Sequence, residues 1–284
     1  MQGRIINLNG GVYNEDSPKM LSTWKYSVDK WNAELKLVEL AKHSSCNYTI
    51  VRPAITYDNT RLPYGIMPSY GYHWTLCARI LAEKPIIVWN EGSNTYNMLR
   101  VEDFAIGLVG LLGNSKAYNE AFNVCGDESP SFKDVLSIVE DYLGRKAIVL
   151  DMKSEYYASL MPNKAEELLG GRSINVFFSN DKLKSVVPEF KQTISLRDGV
   201  RMTLKNYVDC NYQSGIDYVF DGETDKIAKR WCEEQNIVVE NYQLCFIDYL
   251  GNATLLDRWN YYNASNHDHI IMKVLRKLKK IFNL

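Results

Sequence analysis

The chain has 284 residues, 46% hydrophobic and 24% charged, which suits one large globular domain or two small ones. Its formal net charge of −1 lacks the basic surplus that a nucleic-acid footprint needs, so no nucleic-acid partner is expected. No apolar run reaches the roughly 18 residues of a membrane-spanning helix.

In chain order, Ile5 to Leu8 reads as a buried strand leading into Gly10-Gly11-Val12-Tyr13. Trp24 to His43 reads as a long helix with an apolar stripe at Trp31, Leu35, Leu37, Val38 and Ala41. Tyr48 to Val51 forms the next strand and ends in Arg52-Pro53, and Tyr57 to Gly71 is a loop rich in Pro, Gly, Tyr and Asn. The pattern then predicts a helix over Trp74–Ala82, a strand over Ile86–Trp89 and a helix over Val101–Leu112. Ser131, with Asp134 three residues on, caps a further helix that stops at Gly144. A strand over Ala147–Met152 and a helix over Leu196–Val208 follow. Strands alternating with helices argue for an α/β class.

Asp221-Gly-Glu-Thr opens a helix that runs through Trp231 and Glu234. In the last segment Ile271, Val274, Leu275, Leu278, Ile281 and Phe282 form one apolar stripe, and Lys273, Arg276, Lys277, Lys279 and Lys280 supply the rest. No acidic residue follows Asp268. This basic amphipathic helix has three open readings: contact with an anionic membrane surface, docking on its own domain, or docking on a partner subunit. The six cysteines, at positions 46, 77, 125, 210, 232 and 245, lack metal-ligand spacing and read as reduced, mostly buried thiols. With no signal peptide, they suggest a cytoplasmic protein, with the basic helix allowing peripheral contact at the inner membrane surface. His267 and His269 are two apart, and no metal site is expected. The aromatic residues are expected in cores and rims.

Tyr26 and Lys30 carry the chemistry. One helical turn apart, they share a face, and an ammonium beside a phenol favours the phenolate, giving a usable proton donor and acceptor. Such a pair is what proton transfer coupled to hydride transfer requires. Spacing alone is weak, because chance supplies about one or two such pairs in a chain this rich in Tyr and Lys. The other pair, Tyr142 and Lys146, straddles Gly144 and is not expected to share a face.

The ordered surroundings of Tyr26 resemble the extended short-chain dehydrogenase/reductase family, in its NAD-dependent epimerase/dehydratase branch. The matching pieces are Gly10-Gly11-Val12-Tyr13, Tyr26 with Lys30 and Glu34, and Arg52-Pro53. Met98-Leu-Arg-Val-Glu-Asp-Phe-Ala105 and Ala121-Phe-Asn-Val-Cys-Gly126 follow in the family's order, so the resemblance covers roughly residues 3 to 210. It implies a Rossmann-like parallel sheet, a mixed α/β substrate domain and a helical tail, divided at 1–60, 61–215 and 216–284. It also implies NAD or NADP as cofactor, a nucleotide-sugar substrate in surface-polysaccharide metabolism, and a homodimer. Tyr26 becomes the acid/base, and Lys30 its cationic partner and a ribose ligand. Asn9 stands at the family's Ser/Thr position, and Pro53 packs near the nicotinamide. Tyr96 replaces a phosphate-clamping Arg, Arg100 replaces a His, and Arg172 falls near a second phosphate-binding Arg; these three are the candidate substrate-binding residues, the two arginines as phosphate ligands.

Two departures matter. The sequence does not open with the family's strand, Gly-x-x-Gly-x-x-Gly turn and helix that hold the cofactor pyrophosphate. The chain thus starts about one hundred residues late relative to the family, a length near that of a small domain. It is therefore expected to be incomplete and inactive alone, with apolar faces exposed. Asn9 can donate a hydrogen bond but cannot relay a proton as a hydroxyl does. The alternatives are a non-catalytic remnant that binds a partner, or a reductase of a small non-nucleotide substrate.

Overall fold

The computed structural model describes residues 11–17, 22–69, 71–210, 215–239, 253–267 and 269–282. The strand expected at Ile5 to Leu8, and Asn9 and Gly10, lie outside them. The described elements are β1 (Val12–Tyr13), α1 (Lys25–Ala41), β2 (Thr49–Pro53), β3 (Ile55–Tyr57), α2 (Trp74–Leu81), β4 (Ile86–Trp89), β5 (Met98–Arg100) and α3 (Val101–Leu111). Then come β6 (Glu120–Val124), α4 (Phe132–Leu143), β7 (Val149–Met152), α5 (Ser154–Leu160), α6 (Pro162–Glu167), β8 (Phe177–Phe178), α7 (Asp181–Val186) and α8 (Leu196–Asp209). The last are α9 (Tyr218–Gln235), α10 (Leu255–Ser265) and α11 (Ile270–Phe282). The class is α/β, as the alternation predicts.

The chain forms two compact units. One comprises Met1–Ile66, Trp89–Val139 and Met152–Lys205; the other comprises Met67–Val88, Glu140–Asp151 and Asn206–Leu284. In the first, β2 pairs in parallel with β6 from Thr49↔Glu120 to Pro53↔Val124, β3 pairs with β5, and β1 pairs with β8. Parallel neighbours need crossovers, which the intervening helices provide. At Ala54 the chain switches partner: its N–H donates to Val124 O, whereas that of Ile55 donates to Asn97 O. The core gathers Leu99, Phe122, Val124, Leu183, Val187 and Phe190, each worth about 1.5–3 kcal/mol when fully buried. Gly110 lets α3 close on this cluster, since a Cβ there would lie 2.3 Å from a Val187 methyl. Buried Asp103 accepts the Thr193 and Ile194 backbone N–H at 2.9 and 3.0 Å, tying α3 to the turn before α8.

An aromatic group fills the rest of this unit. Trp89 lies 5.7 Å from Phe132 and stacks on Tyr157 at 5.9 Å, and Tyr96 stacks on Phe132 at 5.9 Å. Gly65 meets this group face-on, because a Cβ there would come 2.1 Å from the Trp89 ring. With that ring fixed on three sides, Gly65→Ala is expected to cost about 1–3 kcal/mol, read as a lowered urea midpoint.

In the second unit β4 pairs with β7, and Gly222 lets α9 and α10 cross closely, 2.5 Å separating a would-be Cβ from Tyr261 O. Asp217 caps α9 by accepting from Phe220 N at 3.0 Å, so the helix starts before the Asp221 expected to open it. One sequence expectation needs correction. Cys77 and Cys125 are buried, but Cys46 and Cys210 are exposed, so the described thiols are not mostly buried. On α1, Leu35, Leu37, Val38 and Leu40 are exposed. No described helix is long and apolar enough to cross a membrane.

Candidate active site

The site is built on α1, which the chain anchors at its N-terminus and at its middle. Trp24, at its N-cap, offers no side-chain cap. Glu166 does the work from a distance, accepting from the Lys25 backbone N–H at 3.0 Å, a carboxylate at the positive end of a helix. Trp24 is seated on Gly170 and Gly171, where a Cβ would come within 2.7 and 2.8 Å of it. Two turns beyond Tyr26, Glu34 takes a forked ion pair from Arg52 on β2, with Nε at 3.0 Å and Nη2 at 2.6 Å. Arg52 is buried, so this pair is shielded from solvent and fixes α1 on the strand. Glu34 and Arg52, matched separately in sequence, thus prove to be partners.

Between those anchors, Lys30 Nζ lies 5.5 Å from the centre of the Tyr26 ring. The Trp24 ring approaches Tyr26 at 5.1 Å with an interplanar angle of 34°. The phenol is therefore held by an indole and an ammonium, yet stays exposed and reachable. Pro53 ends β2 opposite Val124. A cleft of about 220 Å³ opens beside the Glu34–Arg52 pair, lined in part by Trp31, Leu35, Tyr48 and Lys182. Tyr26 and Lys30 do not line it.

A second group of expected residues lies in the same unit. Tyr96 and Arg172 are both buried, and Arg172 pairs with Glu167 through Nε at 3.0 Å and Nη2 at 2.9 Å. Burial pushes the Tyr96 phenol up, against the opposing charge of Arg172. Two polar atoms here, Tyr96 Oη and Arg172 Nη1, are buried without a hydrogen-bond partner. A buried donor left unsatisfied costs about 1–3 kcal/mol. The turn Leu168–Arg172 joins both groups. Its glycines seat Trp24 beside Tyr26, its last residue is Arg172, and the Arg172 carbonyl accepts from Trp89 Nε1 at 3.1 Å. Gly170-Gly171 is the sequence signal for this junction, although adjacent glycines ordinarily mark a loop.

Arg100 is placed differently. Its Nε and Nη2 reach Glu102 at 2.8 and 2.5 Å, Nη2 also reaches Asn59 at 2.9 Å, and Nη1 reaches Thr203 Oγ1 at 3.3 Å. Its guanidinium lies 5.6 Å from the Tyr57 ring centre. With its donors engaged and its surface buried, Arg100 acts as an internal strut. For a dinucleotide, the exposed phenol and ammonium fit the nicotinamide-ribose end, which asks for hydroxyl partners and an open face.

No family model matches the sequence. The chloroplast stem-loop binding protein of 41 kDa b from Arabidopsis thaliana is 30% identical over 99 residues, 35% of this chain and 24% of that protein. An uncharacterized UDP-glucose epimerase of Bacillus subtilis, YtcB, is 24% identical over 146 residues, 51% of this chain and 41% of that protein. Among solved structures, UDP-glucuronic acid 4-epimerase from Bacillus cereus, in complex with UDP-glucuronic acid and NAD, superposes with a TM-score of 0.59 at 21% identity. That match covers 74% of this chain and 60% of the epimerase. UDP-glucose 4-epimerase from Thermotoga maritima, with UDP-glucose, gives 0.57 at 17% identity, covering 74% and 62%. Epimerase Mth375 from Methanothermobacter thermautotrophicus gives 0.58 at 17%, covering 73% and 56%. The fold is therefore that of the Rossmann-type epimerases, and the chain spans less than two thirds of the length of each of these proteins.

Proposed function

We propose that this chain is the substrate-facing part of a nucleotide-sugar epimerase or dehydratase that works with NAD. One observation carries the reading. Tyr26 and Lys30 share a solvent-reachable face of a helix pinned at its N-terminus and at Glu34, within a fold common to UDP-sugar epimerases. In this role Tyr26 takes and returns the proton of a sugar hydroxyl at its phenolic oxygen. Lys30 offsets the negative charge that Tyr26 carries before it takes the proton and hydrogen-bonds a ribose hydroxyl, and Pro53 lies at the strand end beside them. Bound NAD supplies the acceptor for the electron pair lost by the sugar carbon. Arg172 Nη1 and Tyr96 Oη meet oxygens of the nucleotide diphosphate. A setting in surface-polysaccharide metabolism, and a homodimer, follow from the resemblance in sequence.

Isothermal titration with UDP-glucose and UDP-glucuronic acid tests the substrate class. The wild-type chain binds saturably, free glucose does not bind, and Arg172→Met weakens the nucleotide sugar about tenfold or more, the loss of a charge-assisted hydrogen bond. Equal, saturable binding of free glucose would overturn the nucleotide-sugar assignment.

A second reading is a non-catalytic scaffold. The exposed Leu35, Leu37, Val38 and Leu40 of α1 favour it, because exposed apolar side chains suit a protein partner. That reading expects no nucleotide-sugar binding at all in the same titration.

A further inference from the structure

The most amphipathic element of the chain lies far in sequence from the candidate active site. α11 runs from Ile270 to Phe282 and carries Lys273, Arg276, Lys277, Lys279 and Lys280 with no acidic residue. At about 100° per residue, Ile270, Ile271, Val274, Leu275, Leu278 and Ile281 fall within one arc of about 140°. The contacts of this helix settle which side meets its own domain. Met272, outside that arc, is buried at 7% exposure. Arg276, also outside it, donates from Nη1 to Asn263 Oδ1 of α10 at 2.9 Å and from Nη2 to the His267 carbonyl at 2.8 Å. The helix is thus held to the second unit by Met272 and Arg276, and its aliphatic arc points away. Ile270 is 72% exposed, Ile271 58%, Val274 51% and Ile281 71%.

This inverts the usual arrangement, in which a helix buries its apolar stripe against the core and turns its charges to water. Docking of the stripe on its own domain is therefore not what the chain does. We infer that α11 is a reversible membrane-docking helix whose aliphatic arc enters the interface of an anionic bilayer. Charge selects that occupant. Lys273 and Lys277 border the arc and are exposed, so inserting the aliphatic side chains brings their ammonium groups to the level of lipid phosphates. An interfacial helix with a cationic border and an aliphatic face has the composition such binding requires. A helix seated on a protein groove has no need of an all-cationic polar side. One helix without a lipid anchor gives weak, reversible attachment.

The test is co-sedimentation of the full chain with vesicles, alongside analytical ultracentrifugation without lipid. The full chain should pellet with vesicles of equimolar phosphatidylcholine and phosphatidylserine, and not with phosphatidylcholine alone. High salt should release it. Lys273→Gln with Lys277→Gln should weaken partitioning about fivefold per charge removed. Ile271→Glu with Leu278→Glu should abolish it while circular dichroism stays unchanged, since neither residue anchors the helix. Failure to bind anionic vesicles overturns the inference, as does equal binding to both vesicle types. A lipid-independent dimer that Ile271→Glu with Leu278→Glu dissociates, without vesicle binding, would instead assign the arc to a second copy of the chain. None of these outcomes depends on nucleotide-sugar binding, so the two proposals stand or fall separately.

Discussion

Asp225→Ala should lower the unfolding free energy of the second unit by about 3–5 kcal/mol, the cost of leaving a buried charge unbalanced. Four charged side chains meet there at 2% exposure or less: Arg79 and Lys84 from the end of α2, Asp221 and Asp225 from α9. Lys84 Nζ lies 2.6 Å from both carboxylates, Arg79 reaches Asp221 at 2.5 Å and Asp225 at 3.0 Å, and Tyr261 of α10 donates to Asp225 at 2.6 Å. Two cations and two anions balance, so deleting one carboxylate leaves a net positive charge with no water to solvate it. Against a total stability of about 5–15 kcal/mol, that loss is large. A urea titration followed by Trp231 fluorescence on α9 reads it directly. The double variant Lys84→Met with Asp225→Leu removes one charge of each sign and keeps Arg79 with Asp221. It should be less destabilised than Asp225→Ala. If the double variant is the worse of the two, charge balance is not what holds α9 to α2.

Acid should act on the same cluster. Burial alone pushes the Asp225 carboxyl up, but Arg79 and Lys84 outweigh it and hold the group below the usual carboxylate range. A carboxyl depressed on folding contributes stability above its unfolded value of about 4, and loses it as pH falls through the folded value. Wild-type stability should therefore fall more steeply than that of Asp225→Asn on acidification below about pH 4.

In an intact version that includes a Gly-rich cofactor-binding segment, Tyr26→Phe should reduce kcat for UDP-sugar turnover by about 10²–10⁴-fold while leaving NAD affinity nearly unchanged. The substitution removes one transferable proton and preserves the ring that Trp24 and Lys30 flank. Lys30→Met should also reduce kcat, and in addition weaken NAD, because it removes both the charge and a ribose ligand. Steady-state kinetics paired with a cofactor titration separates the two patterns. Equal turnover in wild type and Tyr26→Phe would end the acid/base assignment.

Several of these features were legible before any coordinates. The helix bearing Tyr26, the strand ending in Arg52-Pro53 and the Ser131–Asp134 cap all follow from local chemistry. The cap is present as written: Asp134 Oδ2 accepts from Ser131 N at 2.8 Å, and Ser131 Oγ accepts from Asp134 N at 3.2 Å. Period and spacing describe one element at a time, however. Asp221 looked like a helix opener because its true partners, Arg79 and Lys84, lie about 140 residues earlier. Arg100 looked like a ligand for phosphate because nothing beside it in sequence announces Asn59 or Thr203. A periodic pattern tells which side of a helix is apolar, not whether anything covers it. The same limit left three readings open for α11, until Met272 and Arg276 identified the side that docks.

The most direct test of the central claim is proton–carbon NMR of the chain labelled at its tyrosine rings, titrated with UDP-glucuronic acid in the presence of NAD. The account predicts that the Tyr26 ring resonance, assigned by its loss in Tyr26→Phe, shifts saturably and that Lys30→Met reduces the shift. A Tyr26 resonance that stays fixed while the nucleotide sugar saturates another tyrosine would contradict it.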